Sequence, residues 1–379
     1  MKKLTFAAVA FFAALLGAPA LYADAPKPVS PEDGATVDLR PEVQRRYKTP
    51  AERNWDGDYR PGQLKEKNDQ DCSQPTPVEF SWEPATAPGA TYTLQISECP
   101  DFTADVTREV KTGDKTTATA TNFNIGTKYY WRVRAEAKAA DNAYAVCHSD
   151  VRSFTTANYL PRWYDLPNLS NVRDAGGWTT VDGKKVKMGM VFRGGEFDQR
   201  SSLTDETKKY LLETMGIRVD VDLRGPSEWK DVENYYSPLG RDVDWQNFRI
   251  GGYDGIFNDQ NKKLFRDMFR LFSKRESYPV YIHCLAGADR TGTTLVALKS
   301  VLGCSDADLA ADYEFTSFSK YGERRVGPGT AYDKMCKKLD EYGSENDSVA
   351  TKFVNYLKSC GVTDEELQSI RDILLEDAN

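Results

Sequence analysis

Apolar residues fall at every second position in Val78-Glu-Phe-Ser-Trp82, and the alternation returns in Tyr92–Ile96, Tyr129–Ala135 and Val151–Thr155. Period two is the mark of a half-buried strand. Pro, Gly, Asn and Asp punctuate these runs at short intervals, so residues 24–157 read as an all-β sandwich. One stretch does not fit. Residues 44–76 are polar, with Arg45, Arg46, Lys48 and the run Lys65-Glu-Lys-Asn-Asp-Gln-Asp71. They read as a long, mobile insertion on the surface of the sandwich.

From residue 158 to 379 the period changes. Leu203–Met215 reads as a helix capped by Thr204, started by Asp205 and Glu206, and stopped by Gly216. Lys262–Arg275 carries Leu264, Phe265, Met268, Phe269 and Phe272 on one helical face. Thr291–Leu302 is a third helix, ended by Gly303, and a fourth opens on the capping box Thr363 with Glu366. Short apolar strands, Arg218–Leu223 and Pro279–His283, lie between them. Alternating strands and helices predict an α/β layer fold with a mainly parallel sheet.

The first residues follow neither pattern. Lys2 and Lys3 precede a nearly unbroken apolar run, Leu4–Leu16, and then the small residues Ala18, Ala20 and Ala23. Residues 1–23 read as a secretory signal peptide, which predicts a secreted or periplasmic protein with no stable membrane span once the peptide is removed. Export would also let disulfides persist, and Cys99 with Cys147 is the preferred pair. The chain holds 50 Lys and Arg against 57 Asp and Glu, a net charge of −7. That argues against a nucleic-acid face but leaves room for a local cationic pocket. Two histidines and scattered cysteines without C-x-x-C argue against a structural zinc site, and no metal or other cofactor is expected.

The chemistry concentrates in His283-Cys284-Leu285-Ala286-Gly287-Ala288-Asp289-Arg290-Thr291-Gly292, between an apolar strand and a helix. A tight strand-to-helix loop turns successive N–H groups inward and adds the positive helix end, which makes an anion cradle. The amides of Leu285 to Arg290, with Gly287 and Ala288 among them, would hold a phosphate. Gly287 permits backbone torsions that a side chain obstructs. Arg290 can return its planar fork to two oxygens of a tetrahedral dianion. Cys284 at the base of the cradle is favoured as a thiolate. It is placed for in-line attack on phosphorus, giving a phosphocysteine that water hydrolyses in a second step. Thr291 can hydrogen-bond the sulfur and help it leave. His283 orders the loop rather than acting as a base.

This loop resembles the H-C-x5-R-[ST] signature of the cysteine-dependent protein tyrosine phosphatases. Its Ala-Gly-x-Asp-Arg-Thr-Gly wording is most similar to the bacterial tyrosine/serine phosphatases. Asn171-Val-Arg-Asp-Ala-Gly-Gly177, Val191-Phe-Arg-Gly-Gly195 and Asp222-Leu-Arg-Gly-Pro-Ser-Glu228 resemble further phrases of that branch. The resemblance implies a phosphatase fold, a phosphocysteine intermediate and no metal. Several relatives carry a lysine before the loop aspartate, a feature linked with phosphoinositide hydrolysis; here that residue is Ala288. In related phosphatases the general acid lies some way upstream on a mobile loop. Asp254, in Gly251-Gly-Tyr-Asp-Gly255, suits that place, with Asp289 and Asp222 as rivals. Arg173 and Asp174 are expected to brace the loop, and Arg173, Asp222 and Arg224 to border the substrate or form a charge network with Glu228. Pro31-x-x-Gly34, Trp82, Pro100-Asp-Phe102 and Tyr130-Trp-Arg-Val133 resemble a fibronectin type III domain.

The sequence therefore predicts two domains: a fibronectin type III-like sandwich with an insertion at 44–76, and a tyrosine-phosphatase-like catalytic domain over 158–379. The expected activity is hydrolysis of phosphomonoesters, foremost protein phosphotyrosine and then phosphoserine or phosphothreonine. Phosphoinositides or inositol phosphates are the alternative substrates. A silent phosphoprotein- or glycan-binding protein is the alternative function. The partner is a phosphorylated protein or a small phosphomonoester; no partner is assigned to the sandwich.

Overall fold

The computed structural model describes residues 24–52, 59–138, 144–229 and 235–378. The expected signal peptide lies outside them. The chain folds as two units: residues 78–120 and 127–156 join the N-terminal stretch up to Val37 in the first, and residues 38–77, 121–126 and 157–379 form the second.

The first unit is all β in its described residues. One sheet orders β1 (Lys27–Ser30), β3 (Val78–Glu83) and β6 (Thr117–Ala120) as β1-β3-β6. The other runs β2 (Ala35–Val37), β9 (Arg152–Thr156), β7 (Lys128–Lys138), β4 (Thr91–Ser97), β5 (Thr107–Gly113), with β8 (Tyr144–His148) also on β7. Alternate residues of each strand fill the space between the sheets. Phe80 meets Trp131 at 5.3 Å and Phe154 at 5.8 Å between ring centroids.

The expected disulfide is not formed, and Cys99 and Cys147 are both free thiols. Register explains this. Cys147 pairs with Ala135, which pairs with Tyr92 at one end of β4. Cys99 lies beyond Ser97 at the other end. The separation along the strand is on the order of 20 Å, given about 3.3 Å per residue, whereas a disulfide needs Cα atoms within about 7 Å.

The second unit is a five-stranded sheet of β10 (Arg173–Asp174), β12 (Val191–Gly194), β15 (Val280–His283), β13 (Val219–Asp222) and β14 (Asp244–Asn247), in that order. All neighbours are parallel except the edge strand β10. A short pair, β11 (Lys184–Val186) with β16 (Leu375–Asp377), lies apart. Side chains alternate between two apolar layers: Val280 and Ile282 enter the larger core, Tyr281 the smaller one with Phe192 and Phe197. The short α1 (Glu42–Arg45) and α2 (Pro61–Leu64) belong to this unit by contact, not by sequence position.

The expected helix over 203–215 is α3 (Asp205–Lys209) continued by a π-helical turn, Tyr210–Thr214. The Met215 amide reaches back to Tyr210, and the wider turn seats Leu211 and Met215 in the smaller core. Helix α4 (Asp259–Phe272) starts earlier than its apolar stripe because Asn258 caps it. Helix α5 (Asp289–Leu302) is buried almost throughout and ends on Gly303 in left-handed geometry. Helices α6 (Asp306–Phe315), α7 (Ala331–Leu339) and α8 (Val349–Ser359) precede α9 (Asp364–Leu374), whose box of Thr363 and Glu366 is formed.

The polar insertion is the main departure from expectation. Its described residues pack on the second unit instead of hanging from the sandwich. Gln44, Lys65, Cys72 and Ser73 are buried. Lys65 Nζ donates to the carbonyls of Asn68, Ser317 and Ser319 at 2.7, 3.0 and 2.7 Å. The Cys72 amide donates to Phe318 O at 2.6 Å. The anchors are themselves polar, so hydrophobic patterning could not reveal them.

Candidate active site

Parallel strands carry their loops to one edge, and the loop from β15 to α5 occupies that edge at the middle of the sheet. Gly287 has φ 63°, and a Cβ there would lie 2.0 Å from Gly194 O. Only glycine fits this close approach to the end of β12. Among the described residues, the amides of Leu285 through Arg290 donate to no protein acceptor. Their carbonyls, in contrast, are tied outward: Asn171 Nδ2 donates to Ala286 O at 3.1 Å and Gly287 O at 3.0 Å, and Arg193 Nη2 to Gly287 O at 2.8 Å. Holding the carbonyls out leaves the N–H groups turned in, at the start of a helix.

Cys284 is buried beneath this run. Burial alone would raise its thiol, but the Arg290 guanidinium and the hydroxyl and amide of Thr291 outweigh burial and hold it below its ordinary value. The Thr291 hydroxyl is itself buried with no other hydrogen-bond partner. Arg290 is held end-on by Glu228, Nη1 to Oε2 at 2.6 Å and Nη2 to Oε1 at 2.7 Å.

His283 is fully buried, with Nε2 2.9 Å from Asp220 and Nδ1 3.9 Å from Asp222. The approach to Asp220 is an ion pair whose angles miss hydrogen-bond geometry. Burial opposes charge on the ring, yet Asp222 and Asp220 prevail and push it up to about 9. The protonated ring is therefore the favoured form of His283 under the loop.

The three acid candidates separate. Asp222 is fully buried; burial raises it, but His283 and Arg224 hold it below the usual carboxylate range. Arg224 grips it at 3.0 and 2.9 Å and also bonds Asp198 and the Tyr235 hydroxyl. Asp222 and Arg224 thus form a buried network and cannot touch a substrate, contrary to one sequence expectation. Asp289, at the loop rim, accepts from Arg324 at 2.7 and 3.0 Å and from the Tyr253 hydroxyl. Burial raises Asp289, but Arg324, Tyr253 and Arg290 together outweigh it and hold it below the usual carboxylate range, against a role as proton donor. Asp254 is exposed on the turn Tyr253–Phe257. The turn lies against the loop: a Cβ on Gly252 would sit 3.4 Å from the Arg290 backbone, and the Tyr253 amide donates to Thr293 Oγ1 at 2.9 Å.

Arg173 is also no substrate ligand. It is fully buried, donates to Asn171 Oδ1, Asp312 and Thr316, and so braces the loop through Asn171. Asp174 accepts from Gly176 and Gly189 and braces its own turn. Sequence reasoning overlooked the centre of this network. Asp312 on α6 pairs with Arg193 at 3.0 Å, Lys299 at 3.2 Å and Arg173 at 3.3 Å, all buried. Burial raises Asp312, but these three cations hold it well below the usual carboxylate range. No local pattern around Asp312 advertised this; for Arg193 and Asn171 the phrases 191–195 and 171–177 were the available signals.

An unpaired run of amides, a thiol favoured as anion and a clamped arginine thus meet at one loop of an α/β fold. The model of the tyrosine phosphatase family matches residues 164–376, more than half of the chain, and the chain belongs to that family. A Cupriavidus necator protein named "Putative tyrosine-protein phosphatase" is 25% identical over 169 residues, 38% of this chain and 59% of that protein. The chain thus spans under two thirds of that relative's length. The core catalytic domain of the PP-IP phosphatase SIW14 from S. cerevisiae, solved with citrate, matches at 12% identity over 44% of this chain and 91% of its own, with TM-score 0.28. A fibronectin type III domain from the human KIAA0970 protein matches at 22% identity over 26% of this chain and 72% of its own, with TM-score 0.19. Among the described residues no group of His, Cys, Asp or Glu could hold a metal, and no helix is long and apolar enough to cross a membrane.

Proposed function

We propose that the second unit hydrolyses phosphomonoesters through a phosphocysteine, with protein phosphotyrosine as the main substrate, in an exported protein whose first unit is a fibronectin type III-like module. The observation that carries the reading is the run of amides from Leu285 to Arg290 without protein acceptors, set around a thiol biased toward its anion. Such a cradle suits three equatorial phosphate oxygens. Glu228 occupies the Nη1–Nη2 end of Arg290, which leaves the Nε edge of the fork for two of those oxygens.

In the first step the Cys284 thiolate attacks phosphorus, the phosphorus–oxygen ester bond breaks, and the leaving oxygen takes a proton from Asp254. In the second, water attacks phosphorus and gives its proton back to Asp254. The sulfur then leaves as a thiolate, eased by Thr291. Ala288 puts no cation into the cradle, which favours phosphoproteins over phosphoinositides and inositol phosphates.

The test is turnover of p-nitrophenyl phosphate and a panel of phosphopeptides, phosphoinositides and inositol phosphates. Cys284→Ser should abolish turnover yet still bind vanadate or tungstate. Asp254→Asn should slow phosphopeptide cleavage more than Asp289→Asn does. Wild-type turnover by Cys284→Ser would sink the mechanism, and a preference for inositol phosphates would sink the substrate assignment.

A further inference from the structure

The segment 38–77 leaves the first unit after β2 and returns to it at β3, and its described residues belong to the second unit. At its far end lies Ser73, buried to 1% exposure. Ser73 Oγ accepts the backbone N–H of Asn171 at 3.1 Å and donates to Asp71 at 2.6 Å. Asn171 is the residue whose side-chain amide holds the carbonyls of Ala286 and Gly287 outward. Its φ is 66°, a left-handed conformation that asparagine tolerates but needs neighbours to keep. Those neighbours are Arg173, on its Oδ1, and Ser73, on its N–H.

The chain around Ser73 is anchored independently. Gln44 Nε2 donates to Cys72 O, the Cys72 amide to Phe318 O, and Lys65 to the carbonyls of Ser317 and Ser319. The hydroxyl of Ser73 thus comes from a stretch outside the 164–376 family segment, anchored to carbonyls inside it. It reaches the loop through one intermediate residue.

We propose that Ser73 is a positioning residue for the phosphate-binding loop, acting through Asn171, and that the strap 38–77 is an integral part of the active-site scaffold. If the Asn171 N–H loses its acceptor, the residue can relax from φ 66°, its amide swings, and the carbonyls of Ala286 and Gly287 are no longer held out. The amides facing Cys284 then lose alignment and its thiolate loses stabilisation. Ser73→Ala removes no charge, so a shift in the Cys284 titration after this change reports geometry.

The experiment measures, in the full chain, the pH dependence of Cys284 alkylation by iodoacetamide, read peptide by peptide, together with p-nitrophenyl phosphate turnover. Ser73→Ala should raise the alkylation midpoint by about half a pH unit or more and lower kcat/KM about tenfold. Gln44→Leu, a second uncharged change to the strap, should shift both in the same direction and serves if Ser73→Ala fails to fold. Leu367→Ala, a buried change on α9, should lower the melting temperature and leave the alkylation midpoint in place. An unchanged midpoint in the folded strap variant, or an equal shift in Leu367→Ala, overturns the proposal. The turnover arm rests on the phosphatase reading, whereas the alkylation arm does not. A shifted midpoint in a protein that hydrolyses nothing would therefore sink that reading and leave the positioning role standing.

Discussion

The two units bury different things. In the first, the fully buried side chains include Leu94, Trp131, Val133 and Phe154, and every buried polar residue described there, such as Thr93, Gln95 and Ser149, is neutral. In the second, Arg173, Arg193, Arg224, Asp220, Asp222, His283, Lys299 and Asp312 are all within 2% of complete burial. Charges taken out of water cost several kcal/mol each unless they are paired well, and apolar substitutes are often as stable. The sandwich follows the rule for a core that only has to hold together. The phosphatase unit departs from it on the strands and helices behind its loop, where side chains must fix the direction of particular carbonyls. Buried charge here marks the region that needs geometry more than stability.

The contrast can be broken at Asp312. Asp312→Asn leaves Arg173, Arg193 and Lys299 buried without the carboxylate they share. Removing one member of a buried charge cluster costs about 3–5 kcal/mol. Denaturant unfolding should show the second unit weakened by this amount, with phosphatase activity lost in parallel and the sandwich transition unmoved. Equal loss in both units would dissolve the distinction. A smaller effect is expected at Glu228, whose carboxylate clamps Arg290 at the pocket rather than in the core. Glu228→Gln should fold normally and lower kcat/KM about tenfold, on the order of 1.4 kcal/mol. An unaltered kcat/KM would show that Arg290 is held by the fold without it.

The mildest test uses pH. His283 has its folded value raised to about 9 against an ordinary 6.5. A group raised on folding stabilises below its unfolded value, and that stabilisation is lost as pH climbs through the folded one. The second unit should therefore weaken between about pH 6.5 and 9, followed by chemical denaturation at stepped pH. His283→Gln should flatten the decline, and a wild-type curve that is flat there would contradict a buried imidazolium.

Much of the arrangement was legible in the chain. The strands near 78, 92, 129 and 152 showed in period-two alternation, because burial on one face imposes it, and α5 and α9 showed in their Gly303 stop and Thr363 box, because helix ends leave backbone groups to be capped. The cysteine loop was legible for a different reason: an anion cradle needs Cys284, Gly287, Arg290 and Thr291 at set offsets within one turn. What stayed hidden acts across distance. Asp312 and Arg193 meet only in the fold, and nothing adjacent to either announces a partner. The polar strap hid for a sharper reason. Its anchors, Gln44, Lys65 and Ser73, are residues that ordinarily mark solvated chain. Cys99 and Cys147 erred the other way, since proximity in a list of cysteines says nothing about position along a strand.

The route of the strap changes what counts as a separable piece of this protein. A fragment cut at residue 158 would contain every residue of the cysteine loop and would still lack the contacts that the strap makes with it. The carbonyls of Ser317, Phe318 and Ser319 would lose their donors, and the Asn171 amide its acceptor. The cut that looks natural on a linear map passes between the cysteine loop and residues that hydrogen-bond to its unit. Expression of the sandwich and the phosphatase as independent halves should thus yield one stable half and one impaired one.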